Sequence, residues 1–301
     1  MDEAQKNWIQ RFLSYLNHER RFSPHTISNY GRDLKAVLAY CEKQDISTWQ
    51  DLGEYQVRMY VAAGHRKGLS PRSLQRRLSS LRSFYRYLTR EGQVKTNPAL
   101  EVRAPKAPKR LPRTMDTDMM GKLLEMPHKD PLSVRDWAIM ELLYSSGLRL
   151  AELVDLDMTD VDLSDRTVRV TGKGNKTRIV PLGRFAVEAL AKWLHERGSM
   201  AGAGTEQAMF LSQQGRRISH RSVQSRVKLW ARRQGLPVEV NPHLFRHSFA
   251  SHLLESSGDL RGVQELLGHA DISTTQIYTH LDFQHLARIY DRSHPRSKRR
   301  R

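Results

Sequence analysis

The 301-residue chain has one cysteine, Cys41. A single thiol forms no internal disulfide, and no Cys/His grouping has zinc-ligand spacing, so neither staple is expected. Cys41 lies on an apolar-periodic segment and reads as a packed small residue. Long hydrophobic runs are missing too. The most apolar stretch, Trp137 to Tyr144, is interrupted by Glu141 and falls well short of the roughly 18 residues a membrane span requires. The opening residues, Met1-Asp2-Glu3-Ala4-Gln5-Lys6-Asn7, are polar and acidic where an export signal is basic and then apolar. These absences predict a soluble, cytoplasmic chain with no membrane insertion. Acid is scarce relative to base: 32 Asp+Glu stand against 50 Lys+Arg, for a net charge of +18. Such an excess attracts polyanions through the phosphate field and counterion release. Nucleic acid is the expected partner, ahead of an anionic membrane surface.

The length suits two domains, each with its own core. In the first hundred residues, Ser23-Pro24 and Ser70-Pro71 each place a capping residue before a proline at the first helical position. Ile27, Tyr30, Leu34, Val37 and Leu38 follow the first at helical spacing, and Leu74, Leu78, Leu81, Tyr85 and Leu88 the second. Arg72, Arg76, Arg82 and Arg86 fall off the second stripe, predicting a basic outer side suited to phosphate. Residues 101–113 hold three prolines and five basic residues, the composition of a linker. From Asp116 onward the helical pattern resumes, including Val134 to Ser145 and Leu150 to Leu156. Between Thr167 and Pro181 it gives way to two β-rich segments around Gly172-Lys173-Gly174-Asn175-Lys176, a hairpin signature. The expected fold is mainly α with a small antiparallel β-sheet in the second domain. Its divisions are a helical domain over 1–100, a linker over 101–113 and a second domain over 114–301. The tail Arg296-Ser297-Lys298-Arg299-Arg300-Arg301 is a compositionally biased segment expected to be mobile.

Asn241-Pro242-His243-Leu244-Phe245-Arg246-His247 puts a cap and proline ahead of a histidine and an arginine three apart, on one helical face. Both side chains can reach one anion. A phosphate under attack needs cations on the oxygens that gain charge, and proton handling for the entering and leaving groups. Arginine supplies the first and histidine the second, although the same spacing often has no catalytic meaning. A further arginine, Arg149, follows a glycine turn in Ser146-Gly147-Leu148-Arg149-Leu150-Ala151-Glu152-Leu153. Leu267-Gly268-His269 ends one helical pattern, and Tyr278 lies in the next, nine residues beyond His269.

An Arg in a G-L-R-x-x-E-L context, a Lys on a hairpin turn, H-x-x-R, L-G-H and a Tyr nine residues later together resemble the tyrosine recombinase/integrase family. The wording of residues 258–269 and 278–283 is similar to the bacterial Xer subfamily. The resemblance implies a two-domain C-shaped DNA clamp with a SAM-like core-binding domain before the catalytic domain. It also assigns roles. Arg149 and Arg246 clamp the scissile phosphate and His269 hydrogen-bonds it. His243 assists proton transfer, Lys173 protonates the leaving 5′ oxygen, and Tyr278 is the nucleophile that forms a 3′-phosphotyrosyl ester. No metal or other cofactor is implied. The implied partners are double-stranded DNA carrying a dif-like site, a XerD-like recombinase completing a heterotetramer on that DNA, and an FtsK-type translocase as activator. The implied task is resolution of chromosome dimers at cell division, with residues 283–292 docking into a neighbouring protomer.

Two other readings compete. A non-catalytic, architectural DNA-binding protein explains the charge, linker and amphipathic helices but has no use for the full set from Arg149 to Tyr278. A type IB topoisomerase uses related chemistry, which the Xer-like wording and short length oppose. Among the remaining polar residues, Glu152 is expected to orient Arg149, and Lys176 and Arg178 to face phosphate from the hairpin. Tyr144 and Tyr290 are expected to pack, and His247 and His280 to flank the site.

Overall fold

A computed structural model describes residues 1–106, 114–172, 176–200, 206–237 and 239–257. The chain divides into two compact units, Met1–Arg110 and Leu111–Arg301.

The first unit is built from α1 (Glu3–His18), α2 (Pro24–Lys43), α3 (Glu54–Arg66) and α4 (Pro71–Arg90). The serine caps form as the sequence predicts: Ser23 Oγ accepts from the Thr26 amide and Ser70 Oγ from the Ser73 amide, each ahead of a proline. Such caps satisfy amides that the first helical turn leaves unpaired. Leu74, Leu78, Leu81, Tyr85 and Leu88 of α4 are all buried, facing Phe12 and Leu16 of α1 and Leu34, Val37 and Cys41 of α2. Burial pushes the Cys41 thiol up to about 12, so it packs as an apolar group. Trp49 locks the loop after α2, donating from Nε1 to the Gln5 carbonyl at 2.8 Å while its own carbonyl accepts from the Tyr85 hydroxyl at 2.8 Å.

The basic face of α4 is narrower than its spacing suggested. Arg82 turns inward, donating to the carbonyls of Ala99 and Val102 and fixing the segment after α4. Arg76 pairs with Asp33 of α2. Arg72 and Arg86 are the exposed pair of the four. Long side chains off an apolar stripe can return to backbone carbonyls within reach, and helical periodicity alone does not reveal this.

The second unit contains α5 (Thr117–Leu124), α6 (Pro131–Ser146), α7 (Leu150–Asp155), a three-stranded sheet, α8 (Arg184–Arg197), α9 (His220–Arg233) and α10 (Pro242–Ser257). The sheet is antiparallel in the order β1 (Val161–Asp162), β2 (Thr167–Thr171), β3 (Thr177–Pro181). The fold is thus mainly α with a small antiparallel sheet. β1 has only two residues, too few for an alternating pattern to announce it. Helix α6 is the centre of the unit, with every residue from Ser133 to Ser146 buried. Its buried Asp136 is fully engaged: Arg135 donates from Nε and Nη2, Trp230 Nε1 donates at 2.9 Å, and Arg226 of α9 completes the set. Such donors replace the water that a buried carboxylate gives up. Asp130 caps the start of α6, and Gly147 ends it in the left-handed region at φ 57°, a conformation that glycine adopts without a Cβ penalty.

Candidate active site

The left-handed turn at Gly147 sets the position of two arginines. The chain leaves α6 through Gly147 and the fully buried Leu148, and delivers Arg149 as the residue before α7. From the other side, Arg246 of α10 donates from Nη1 to the Gly147 carbonyl at 2.6 Å. A single turn therefore carries one arginine in its sequence and holds the other by its carbonyl.

Arg149 is held by Glu152 twice. Its backbone amide donates to Oε2 and its Nη1 to Oε1, both at 2.8 Å. The expectation that Glu152 orients Arg149 is met in this geometry. Arg217 steadies the other end of α7, donating from Nη1 to the carbonyls of Val154 at 2.9 Å and Leu156 at 3.0 Å. The α10 helix starts where predicted. Asn241 Oδ1 accepts from the Leu244 amide at 3.2 Å, His243 stands exposed in the first turn, and Arg246 lies one turn on. The same helix is tied to α6 by the buried Tyr144 hydroxyl and His252 Nδ1, 2.9 Å apart.

Arg178, expected to face phosphate from the hairpin, instead turns inward. Arg178 lies inward on Glu152, donating from Nη1 to Oε1 and from Nη2 to Oε2, each at 2.9 Å. Register explains why. Arg178 pairs with Val170 across the strands, and directly opposed residues share a sheet face. Val168, Val170 and Val180 define that face as the buried one, whereas Ile179 is exposed. Counting by twos from Val180 finds Arg178 on the inner side. Strand alternation therefore marks the inward side chain, although its charge suits an outward one.

These contacts set the electrostatics. Burial pushes the Glu152 carboxyl up, but the Arg178 hydrogen bond, the Arg149 amide, the Arg178 charge and the Arg149 side chain outweigh it and hold the group at about 2. Burial pushes Arg246 down to about 10, and the nearby Arg149 acts in the same direction. Arg246 stays cationic at neutral pH, in a setting where its field is less screened than in water. The hairpin base belongs to this neighbourhood. The Gly172 amide donates to the Lys176 carbonyl at 2.8 Å, and a Cβ placed on Gly172 would lie 3.5 Å from Glu152 Oε1 and 3.6 Å from Arg178 Nη1. Arg149, Arg246 and His243 are thus within the described structure. Lys173, His269 and Tyr278 lie outside the described residues, as do Tyr290, His280 and the 283–292 and 296–301 segments.

Two guanidiniums gathered at one glycine turn, one of them braced by a saturated carboxylate, make a site for an anion with several oxygens. In a strongly basic chain, the fitting class is a protein that works on the phosphodiester backbone of nucleic acid. Comparison with known proteins makes the class specific. Residues 113–285 match the phage integrase family, and residues 9–92 match the phage integrase N-terminal SAM-like domain. The chain belongs to the phage integrase family and is a tyrosine-type recombinase, an enzyme that breaks and rejoins DNA. It is 53% identical to Tyrosine recombinase XerC of Salmonella typhi over 97% of this chain and 96% of that protein. It is 50% identical to Tyrosine recombinase XerC of Histophilus somni (strain 2336) over 97% of this chain and 99% of that one. Among solved structures, XerH site-specific recombinase bound to difH substrate in a pre-cleavage complex shares the fold. The TM-score is 0.68 at 22% identity, covering 94% of this chain and 82% of that one. Among the described residues, no helix is long and apolar enough to cross a membrane.

Proposed function

We propose that the chain is a XerC-like recombinase that cuts duplex DNA with Tyr278 and reseals it to a different strand. The observation that carries the assignment is the convergence of Arg149 and Arg246 on the Gly147 turn, in a chain so similar to XerC proteins over nearly its whole length. Arg149 and Arg246 bind the non-bridging oxygens of the scissile phosphate, because planar guanidiniums donate in parallel pairs and keep their charge. His269 donates to the same phosphate. The Tyr278 phenol oxygen attacks phosphorus, passing its proton towards His243. The bond to the 5′ oxygen breaks, and Lys173 gives that oxygen a proton. The phosphodiester energy is kept in the 3′-phosphotyrosyl ester, so a 5′ hydroxyl from another strand reverses the steps without ATP. Clustered cations favour the phenolate as it forms.

Residues 1–100 serve as the core-binding domain, 101–113 as the linker along the DNA and 114–301 as the catalytic domain. The exposed Arg72 and Arg86 of α4 support a phosphate-facing role for the first unit. So does a shallow depression of about 550 Å³ lined by Ser70, Arg72, Ser73, Gln75, Arg76 and Ser79. The chain works in the cytoplasm on dif-type sites, in a heterotetramer with a XerD-like partner. It is activated by an FtsK-type translocase and resolves chromosome dimers at cell division. Residues 283–292 dock into the neighbouring protomer and control when Tyr278 is presented.

The test is a dif-like duplex nicked so that cleavage traps the covalent complex. Wild type is expected to give a protein–DNA adduct that survives denaturation, and Tyr278→Phe none. Equal adduct from both, or none from wild type on the correct site, rejects the assignment.

A further inference from the structure

Glu152 is a carboxylate with its acceptor positions filled. Oε1 accepts from Arg149 Nη1 and Arg178 Nη1, and Oε2 from the Arg149 amide and Arg178 Nη2. An ionised carboxylate offers about four lone-pair sites, so four donors saturate it. Among the described groups the charges do not cancel in pairs. The two guanidiniums that Glu152 accepts from carry one more charge than it does, and the most exposed of the three side chains is Arg149, at 39% against 18% for Arg178 and 3% for Glu152. Were Arg178 absent, Arg149 and Glu152 would form a neutral pair, and the carboxylate would repel any phosphate that Arg149 attracts.

Arg178 also occupies a mechanical junction. It stands on β3 opposite Val170, reaches Glu152 on α7 and lies beside Gly172 at the hairpin base. One planar side chain thus joins the strand that follows Lys173 to the helix start that holds Arg149.

We propose that Arg178 is a positioning residue for strand cleavage: by neutralising Glu152 it leaves the charge of Arg149 to the scissile phosphate, and it fixes the hairpin base against α7. The inference rests on the roles proposed for Arg149 and Lys173, and deepens them. Lysine is a poor substitute, because an ammonium supplies the charge without the two-pronged geometry. The neutralising role makes a particular demand. Removing the charge of Glu152 should repair the loss of Arg178, which a purely structural contact would not do.

The experiment uses the full chain and the nicked dif-like duplex, with three readouts: the single-turnover rate of adduct formation at saturating DNA, DNA affinity by gel shift, and the thermal melt. Arg178→Gln is expected to slow adduct formation by about 100-fold, the scale of losing one preorganised charge at a phosphate, while affinity stays within about threefold. Arg178→Lys is expected to recover part of the rate. Adding Glu152→Gln to Arg178→Gln is expected to raise the rate at least about tenfold above the single variant, because a carboxamide takes no charge from Arg149. A folded Arg178→Gln protein that cleaves within about threefold of wild type overturns the inference, as does a double variant no faster than the single one. If Arg178→Gln alone loses its cooperative melt, the double variant decides. Folded and within about tenfold of wild type, it supports the inference; folded and slower by more than about 100-fold, it overturns it. Wild type without adduct, or Tyr278→Phe with as much, strikes the cleavage reading itself. An active wild type with an unrepaired double variant strikes only the role of Arg178.

Discussion

Each unit buries a carboxylate beside two arginines, and the two carboxylates have opposite acidity. In the first unit, Asp33 of α2 faces Arg76 and Arg77 of α4. In the second, Glu152 of α7 faces Arg149 and Arg178. Burial raises Asp33 despite the nearby charges, whereas Glu152 is held at about 2. The difference is the number of donors that reach the oxygens. Glu152 accepts four hydrogen bonds, one of them from a backbone amide. Asp33 takes its hydrogen bond from Arg76 Nη1, while Arg77 Nε stands 3.9 Å off and Arg77 Nη1 is directed to the Tyr60 hydroxyl at 3.1 Å. Buried charge is stabilised by hydrogen bonds on each lone pair more than by proximity alone. Asp33 is a tie between two helices. Glu152 is a saturated anchor for two arginines, one of which, Arg149, lies near a further cation, Arg246. An arginine next to a carboxylate therefore says little about function until the donors are counted.

The most forceful way to break this contrast is to remove one arginine from each site and measure cleavage at saturating DNA. Arg149→Gln is expected to slow adduct formation by about 1,000-fold, and Arg76→Gln by less than about threefold, since the role proposed for Arg149 is at the reacting phosphate, whereas Arg76 pairs with Asp33 and any phosphate contact it makes is masked at saturating DNA. Comparable losses would dissolve the distinction. The carboxylates give a smaller effect. Glu152→Gln is expected to cost about 3 kcal/mol in urea unfolding at neutral pH, from the depressed acidity of the native group. Asp33→Asn is expected to cost less than about 1 kcal/mol, because Arg76 is 39% exposed and its pairing is weakened by water. A larger loss at Asp33 would show that α2 and α4 depend on that charge.

The same two sites mark where the sequence could be read and where it could not. The stripe Leu74 to Leu88, the serine–proline helix starts and the glycine turn before Arg149 depend on neighbours within a few residues, and local periodicity reveals such features. The pairing of Arg149 with Glu152 was legible for the same reason, being three residues apart on one turn. Asp33 with Arg76, and Arg246 with the Gly147 carbonyl, span 43 and 99 positions. No local pattern encodes such distances. Arg178 falls between these cases: strand alternation placed it inward, but a basic residue on a hairpin in a basic chain suggested DNA. The family motif named Arg149, His243 and Arg246 together before any geometry was known, and the structure brings Arg149 and Arg246 to the Gly147 turn. The motif said nothing of what braces them.

The subtlest expected difference is in the direction of pH dependence. Glu152 has a native acidity depressed from the ordinary 4.5 to about 2. Its stabilisation is therefore complete above the ordinary value and is lost as pH falls from there towards 2, while the native group takes up its proton. Asp33 is raised above the ordinary 3.8 by burial. Its contribution has the opposite sign: it is complete below 3.8 and is lost as pH rises through the native value, when a charge must be carried in the interior. Urea unfolding of wild type against each variant, across the acid range where unfolding stays cooperative, separates the two. The advantage of wild type over Glu152→Gln should shrink as pH falls, and its advantage over Asp33→Asn should grow. Parallel slopes would mean that the donors around Asp33 are as effective as those around Glu152, and that the contrast between tie and anchor is wrong.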